Sequence, residues 1–138
     1  MDLDAVRIRT IIEGCELFRG FDGSQIGILI KNADIKRFSE GVIVYAKGEE
    51  SQNTFCLIVS GSVNIVSDNG FVLEELGRNQ IIGEIGTISP QHRRTVDVVA
   101  KEPTEVLEWN FLDIKESLPD LLKRLKDLAW KRISNWIG

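Results

Sequence analysis

The chain has 138 residues, with 17 Lys and Arg against 21 Asp and Glu and a formal charge of −4 at pH 7. That length fits one domain, in which folding hides roughly two thirds of the surface the unfolded chain exposes, and leaves no room for a separate catalytic domain. The acidic balance excludes capture of nucleic acid by bulk positive charge, and two cysteines are too few for a disulfide scaffold or a structural zinc site.

The first ten residues, MDLDAVRIRT, are polar and mixed in charge, with no apolar core of a signal peptide. No apolar run approaches the roughly 20 residues a spanning helix needs. Cys15 and Cys56 sit among apolar neighbours, as buried free thiols do. These features set the expectation of a soluble protein in a reducing cytoplasm, without a membrane span.

Leu3, Val6, Ile8, Ile11 and Ile12 recur at helical spacing, and Gly14 offers a stop, so residues 3–13 are expected as a helix. Ser24 is placed to cap a second helix striped by Ile26, Leu29, Ile30 and Ala33. From Asp34 the period changes. Short runs rich in Val, Ile and Phe alternate with turn residues at 35–38, 42–45, 54–60, 62–67, 71–76, 80–82, 95–100 and 105–109. Asn69-Gly70 between two apolar runs is a two-residue hairpin signal. After Trp109 the period is helical again: one helix over 111–118, then a second opened by Pro119 and striped by Leu121, Leu122, Leu125, Leu128, Ala129, Ile133 and Trp136. The expected unit is a single mainly β domain over residues 1–138. Its parts are a helical region (1–33), an eight-stranded jelly roll (34–110) and C-terminal helices (111–138).

The segment GEIGTISPQHRRTVDVVA, from Gly83 to Ala100, carries the most chemistry. Gly83 and Gly86 let backbone N–H groups approach an anion closely, and an arginine of the Arg93–Arg94 pair can meet two phosphate oxygens with its planar fork. Glu84, when ionised, only accepts hydrogen bonds, which suits a ribose hydroxyl and not a phosphate. The segment therefore covers both parts of a sugar phosphate. Other chemistry is poorly supplied. His92 is the lone histidine, too few for the multi-histidine metal site of jelly-roll enzymes. Cys15, Cys56 and Ser60 have no adjacent base in the sequence. Neither catalysis nor a metal or cofactor is expected.

The order of elements, the IVSGSV turn at 58–63, GEIGTI at 83–88 and RRTVDVVA at 93–100 together resemble the cyclic nucleotide-binding domain, over nearly the whole chain. This family includes the bacterial catabolite activator protein, the regulatory subunits of protein kinase A and the cytoplasmic domains of cyclic-nucleotide-gated channels. The resemblance implies that Gly83–Thr87 is a phosphate-binding cassette, with Gly83, Glu84, Ile85, Gly86 and Thr87 at the ligand. Glu84 takes the ribose 2′-hydroxyl, and backbone N–H groups of Gly86 and Thr87 face the phosphate. Counting back from Ala100-Lys101 matches Arg94 to the phosphate-binding arginine and leaves Arg93 secondary. Thr95 falls where a hydroxyl reaches the phosphate and, in cGMP-preferring members, the guanine. The sequence departs from the family at Ile82 and Thr87, and at Val96 and Asp97, which bring bulk and negative charge beside the site.

The last helix is basic, with Lys123, Arg124, Lys126, Lys131 and Arg132 against Asp120 and Asp127, and reads as a solvated face opposite its apolar stripe. In the family this helix covers the base or forms a dimer interface, tasks for which Leu125, Leu128, Trp130 and Ile133 are candidates, with Trp130 able to stack on a purine. The implied protein is a regulatory module that binds cAMP or cGMP and signals through this helix to an effector protein or a second copy. No helix-turn-helix follows, so direct DNA binding is not expected. The alternative is a degenerate member that binds no nucleotide and serves as an interaction or dimerisation module.

Overall fold

The structure is a computed structural model that describes the backbone of residues 4–137 and the side chains of 4–136. Leu3, expected in the first helix, and Gly138, at the end of the last, lie outside the described residues. Helix α1 (Ala5–Glu13) starts where the Asp4 carboxylate accepts from the Arg7 N–H, and it buries Ile8 and Ile12, one turn apart. A 3₁₀ turn (Glu16–Phe18) leads to α2 (Gly23–Asn32). Its cap is Asp22 and not Ser24: the Asp22 carboxylate accepts from Gln25 N–H while the Gln25 side chain accepts from Asp22 N–H, each at 2.9 Å. A reciprocal pair of that kind outcompetes a single serine hydroxyl two positions further on.

Eight strands follow: β1 (Asp34–Phe38), β2 (Ile43–Tyr45), β3 (Thr54–Ser60), β4 (Val63–Val66), β5 (Val72–Leu76), β6 (Ile81–Ile82), β7 (Asp97–Ala100) and β8 (Thr104–Asn110). They form two antiparallel four-stranded sheets, in the orders β1-β8-β3-β6 and β2-β7-β4-β5. This is the jelly-roll sandwich expected from the strand spacing. The β4–β5 connection is longer than a two-residue hairpin. Ser67 N–H donates to Phe71 O and Gly70 N–H to Ser67 O, leaving a three-residue loop with the single left-handed residue at Gly70 (φ 82°).

Side-chain alternation along β3 divides the core in two. Phe55 and Leu57 point outward to the helices, together with Leu107 and Trp109 of β8, and meet Ile12, Phe18, Leu29, Ile114, Leu118, Leu121 and Leu125. Trp109 anchors this layer by donating its indole N–H to Leu29 O at 2.8 Å, with Phe18 packed edge-on at 5.4 Å. Cys56 and Ile58 point between the sheets to join Tyr45, Val63, Ile65, Leu76, Ile82, Val98 and Val106.

The C-terminal region is shorter in its first helix than the apolar spacing predicts. Helix α4 covers only Phe111–Ile114, and α5 (Leu121–Ile137) begins two residues beyond Pro119. Along α5 the buried stripe runs Leu121, Leu125, Ala129 and then Arg132. At about 100° per residue all four fall on one face, so the arginine expected in the solvated set is held inside.

Candidate ligand-binding site

Strand β6 is two buried isoleucines, and the pairing of Ile82 with Cys56 fixes where the chain leaves the sheet. Gly83 then turns it, at φ 87°, into the five-residue helix α3 (Glu84–Ile88). A Cβ at Gly83 would stand 2.8 Å from the Tyr45 ring, so only glycine permits this turn against that ring. The Thr87 hydroxyl lies 2.9 Å from both Thr54 O and Gly83 O, tying α3 to β3. The polar side chain at position 87 thus secures α3 from behind.

Arg94 lies across the back of this turn and is only 5% exposed. Its Nη1 donates to Gly83 O at 3.0 Å, and its Nη2 lies 2.7 Å from Ser51 O and 2.9 Å from both Thr54 O and Thr54 Oγ1. Its guanidinium carbon stands 3.6 Å over the centre of the Tyr45 ring. Burial, and then the adjacent Cys56, push the Tyr45 phenol well above its ordinary value, so the ring stays a neutral cation–π platform. One donor is left over: Arg94 Nε is buried with no partner among the described residues. A Cβ on Gly86 would stand 3.3 Å from that atom and 2.8 Å from Arg94 Cδ and Nη1. The bare backbone of Gly86 makes the space in which the guanidinium sits.

Glu84 is 3% exposed, and its Oε1 receives Arg132 Nη1 at 2.7 Å. The same Arg132 nitrogen donates to Ile81 O, so the last turns of α5 are fastened to both sides of the Gly83 turn. One turn on, Trp136 packs against the apolar layer between the sheets and donates its indole N–H to Glu74 at 2.9 Å. Between these groups lies a cavity of about 20 Å³, lined by Tyr45, Gly83, Glu84, Ile85, Gly86, Arg94, Thr95 and Val96, together with Arg132 and Trp136 of α5.

The structure thus brings Gly83, Glu84, Ile85, Gly86, Arg94, Thr95 and Val96 around one cleft, while Thr87 faces β3. Asp97 turns away: its carboxylate accepts from Lys47 N–H at 2.7 Å and brings no charge to the cavity. Arg93 donates to Gly48 O at 2.8 Å on the exposed side of the same loop. Strand β7 starts at Asp97 and not at Thr95 because Arg94 pairs its backbone with residues 48 and 49. Trp130 is 68% exposed and does not line the cavity, since it projects from the side of α5 opposite the Leu121–Leu125–Arg132 stripe. The lining residues Tyr45, Ile65, Ile82, Val98, Arg132 and Trp136 are not among the contacts expected from the sequence. The available signal for Arg132 was its phase, seven residues after Leu125 on the apolar stripe.

Fold and cleft together define a jelly-roll domain with a small cleft at its glycine turn. A model of the cyclic nucleotide-binding domain matches residues 35–118, and the chain belongs to that family. No curated protein sequence matches it. Among solved structures it is similar to the regulatory domain of Toxoplasma gondii PKA with cAMP (TM-score 0.83, 16% identity, 92% of this chain and 50% of that one). It is also similar to the regulatory subunit of a cAMP-independent protein kinase A from Trypanosoma cruzi bound to guanosine (TM-score 0.78, 25% identity, 91% and 47%). A cyclic nucleotide-binding protein of Geobacter metallireducens matches end to end (TM-score 0.74, 14% identity, 99% and 100%). The chain spans about half the length of the kinase regulatory chains. Among the described residues no helix is long and apolar enough to cross a membrane.

Proposed function

We propose that this domain is a non-enzymatic regulatory module that binds cAMP or cGMP at the Gly83–Thr95 cassette. The observation that carries the reading is the orphaned Nε–H of Arg94, a buried cationic donor beside Gly86. A phosphate oxygen entering there would take a charge-assisted hydrogen bond that the protein leaves unmade. Glu84 is the acceptor for the ribose hydroxyl, and Thr95, exposed at the rim of the cleft, is the side chain nearest to base recognition. Val96 adds bulk at the rim. The response is passed on by α5, the element joined to α3, to an effector protein or a second copy of the chain. The buried free thiols Cys15 and Cys56 suit a reducing cytoplasm.

Calorimetric titration with cAMP and with cGMP, on the wild type and on Arg94→Ala, tests the reading. Binding to the wild type that is lost in the variant supports it, and no binding of either nucleotide sinks it. The rival reading, a member that keeps the fold for protein interaction alone, is favoured by the size of the cavity. About 20 Å³ holds roughly one water, whereas ligand sites run to about 300 Å³ and more.

A further inference from the structure

The small cavity and the buried ion pair have one origin, the last two turns of α5. Arg132 neutralises the carboxylate assigned to the ribose, and Trp136 lies against the apolar layer that forms the floor of the cleft. We infer that the Arg132–Trp136 segment is an internal competitor for the nucleotide site, so that nucleotide and helix end exclude each other. This rests on the reading of Glu84 and Arg94 as nucleotide contacts. A covering helix would be drawn down by ligand; here ligand drives the helix end off.

Three features favour displacement. Arg132 Nη1 bridges Glu84 and Ile81 O, on either side of the Gly83 turn, and so occupies the carboxylate assigned to the ribose. The exchange balances chemically: ribose hydroxyls replace the guanidinium as donors to Glu84, and phosphate supplies the acceptor that Arg94 Nε lacks. Release can also stay local. Leu121 and Leu125 are buried in the helical layer, Ala129 is buried one turn on, and together they keep the first half of α5 docked, so only the turns after Ala129 need leave. Release then exposes Arg132 and Trp136, which gives a partner something to read. A site open only part of the time binds with its affinity divided by the closed-to-open ratio, so weakening the closure tightens binding.

The test is hydrogen exchange of the backbone amides of residues 130–136, in the wild type with and without saturating cAMP or cGMP, and in Arg132→Gln. Residues 55–58 of β3 report whether the variant remains folded. Competition predicts faster exchange at 130–136 when nucleotide binds, faster exchange in Arg132→Gln without nucleotide, and about tenfold or more tighter binding by that variant in calorimetry. Slower exchange on binding, weaker binding by Arg132→Gln, or unchanged exchange in the nucleotide-free variant would each overturn it. If neither protein binds either nucleotide, the functional reading fails, yet faster 130–136 exchange in Arg132→Gln still upholds the closure. Should the β3 amides of Arg132→Gln lose protection, Arg132→Lys, which keeps the charge but not the fork, gives the same comparison.

Discussion

Glu84 Oε1 and Arg132 Nη1 meet at 2.7 Å with both side chains buried, joining the first residue of α3 to the apolar stripe of α5. Such a pair offsets its own desolvation, but either partner alone does not. Arg132→Ala, which strands the carboxylate, is therefore expected to lower stability by about 3 kcal/mol in urea denaturation. The double variant Glu84→Gln, Arg132→Met should lie closer to the wild type than Arg132→Ala does, and a larger loss in the double variant would show that the pair is not coupled.

Tyr45 separates packing from phosphate capture. Its ring supports Arg94, while its hydroxyl lies 3.1 Å from Cys56 Sγ and 3.5 Å from Glu108. Tyr45→Phe keeps the platform, so nucleotide affinity in calorimetry should stay within a few-fold and stability should fall by about 1 kcal/mol. Tyr45→Leu removes the cation–π contact, worth about 2 kcal/mol when desolvated, and affinity should fall by tenfold or more.

Gly86→Ala tests the cradle directly. The new methyl would stand 2.8 Å from Arg94 Cδ and Nη1, closer than carbon packing tolerates, so the guanidinium must shift. The expected outcome is a stability loss of about 1–3 kcal/mol in urea together with loss of measurable nucleotide binding. Unchanged affinity would place the phosphate elsewhere.

What the sequence made legible follows from which forces are local. Period-two runs and turn residues located all eight strands to within a residue or two, because alternation reports directly on two-faced burial. The misses were contests between neighbours: Asp22 over Ser24 as cap, three residues over two in the β4–β5 loop, and a β7 start delayed by the pairing of Arg94 with residues 48 and 49. The GEIGTI and RRT segments do come together around one cleft. What closes that cleft was not legible, because the meeting of Arg132 with Glu84, and of Tyr45 with Arg94, depends on chain segments 48 and 49 residues apart. A basic residue on a basic helix looks solvated until its phase is counted against Leu121 and Leu125.

Alkaline stability reports on the buried acids. Burial is the main cause that lifts the Cys15 thiol from about 9 to about 11. The folded-state value is the higher one, so the unfolded chain loses this proton first, and the stabilisation present below pH 9 is lost as pH rises through 11. By pH 11 this loss amounts to about 2 kcal/mol. Burial raises Cys56 and Tyr45 in the same direction, so the wild type loses stability from all three. Cys15→Ala removes one of them. Urea midpoints at pH 8 and pH 11 should therefore differ less in Cys15→Ala than in the wild type, by about 2 kcal/mol when converted to free energy, and an equal difference would show that Cys15 is not held as a thiol by burial.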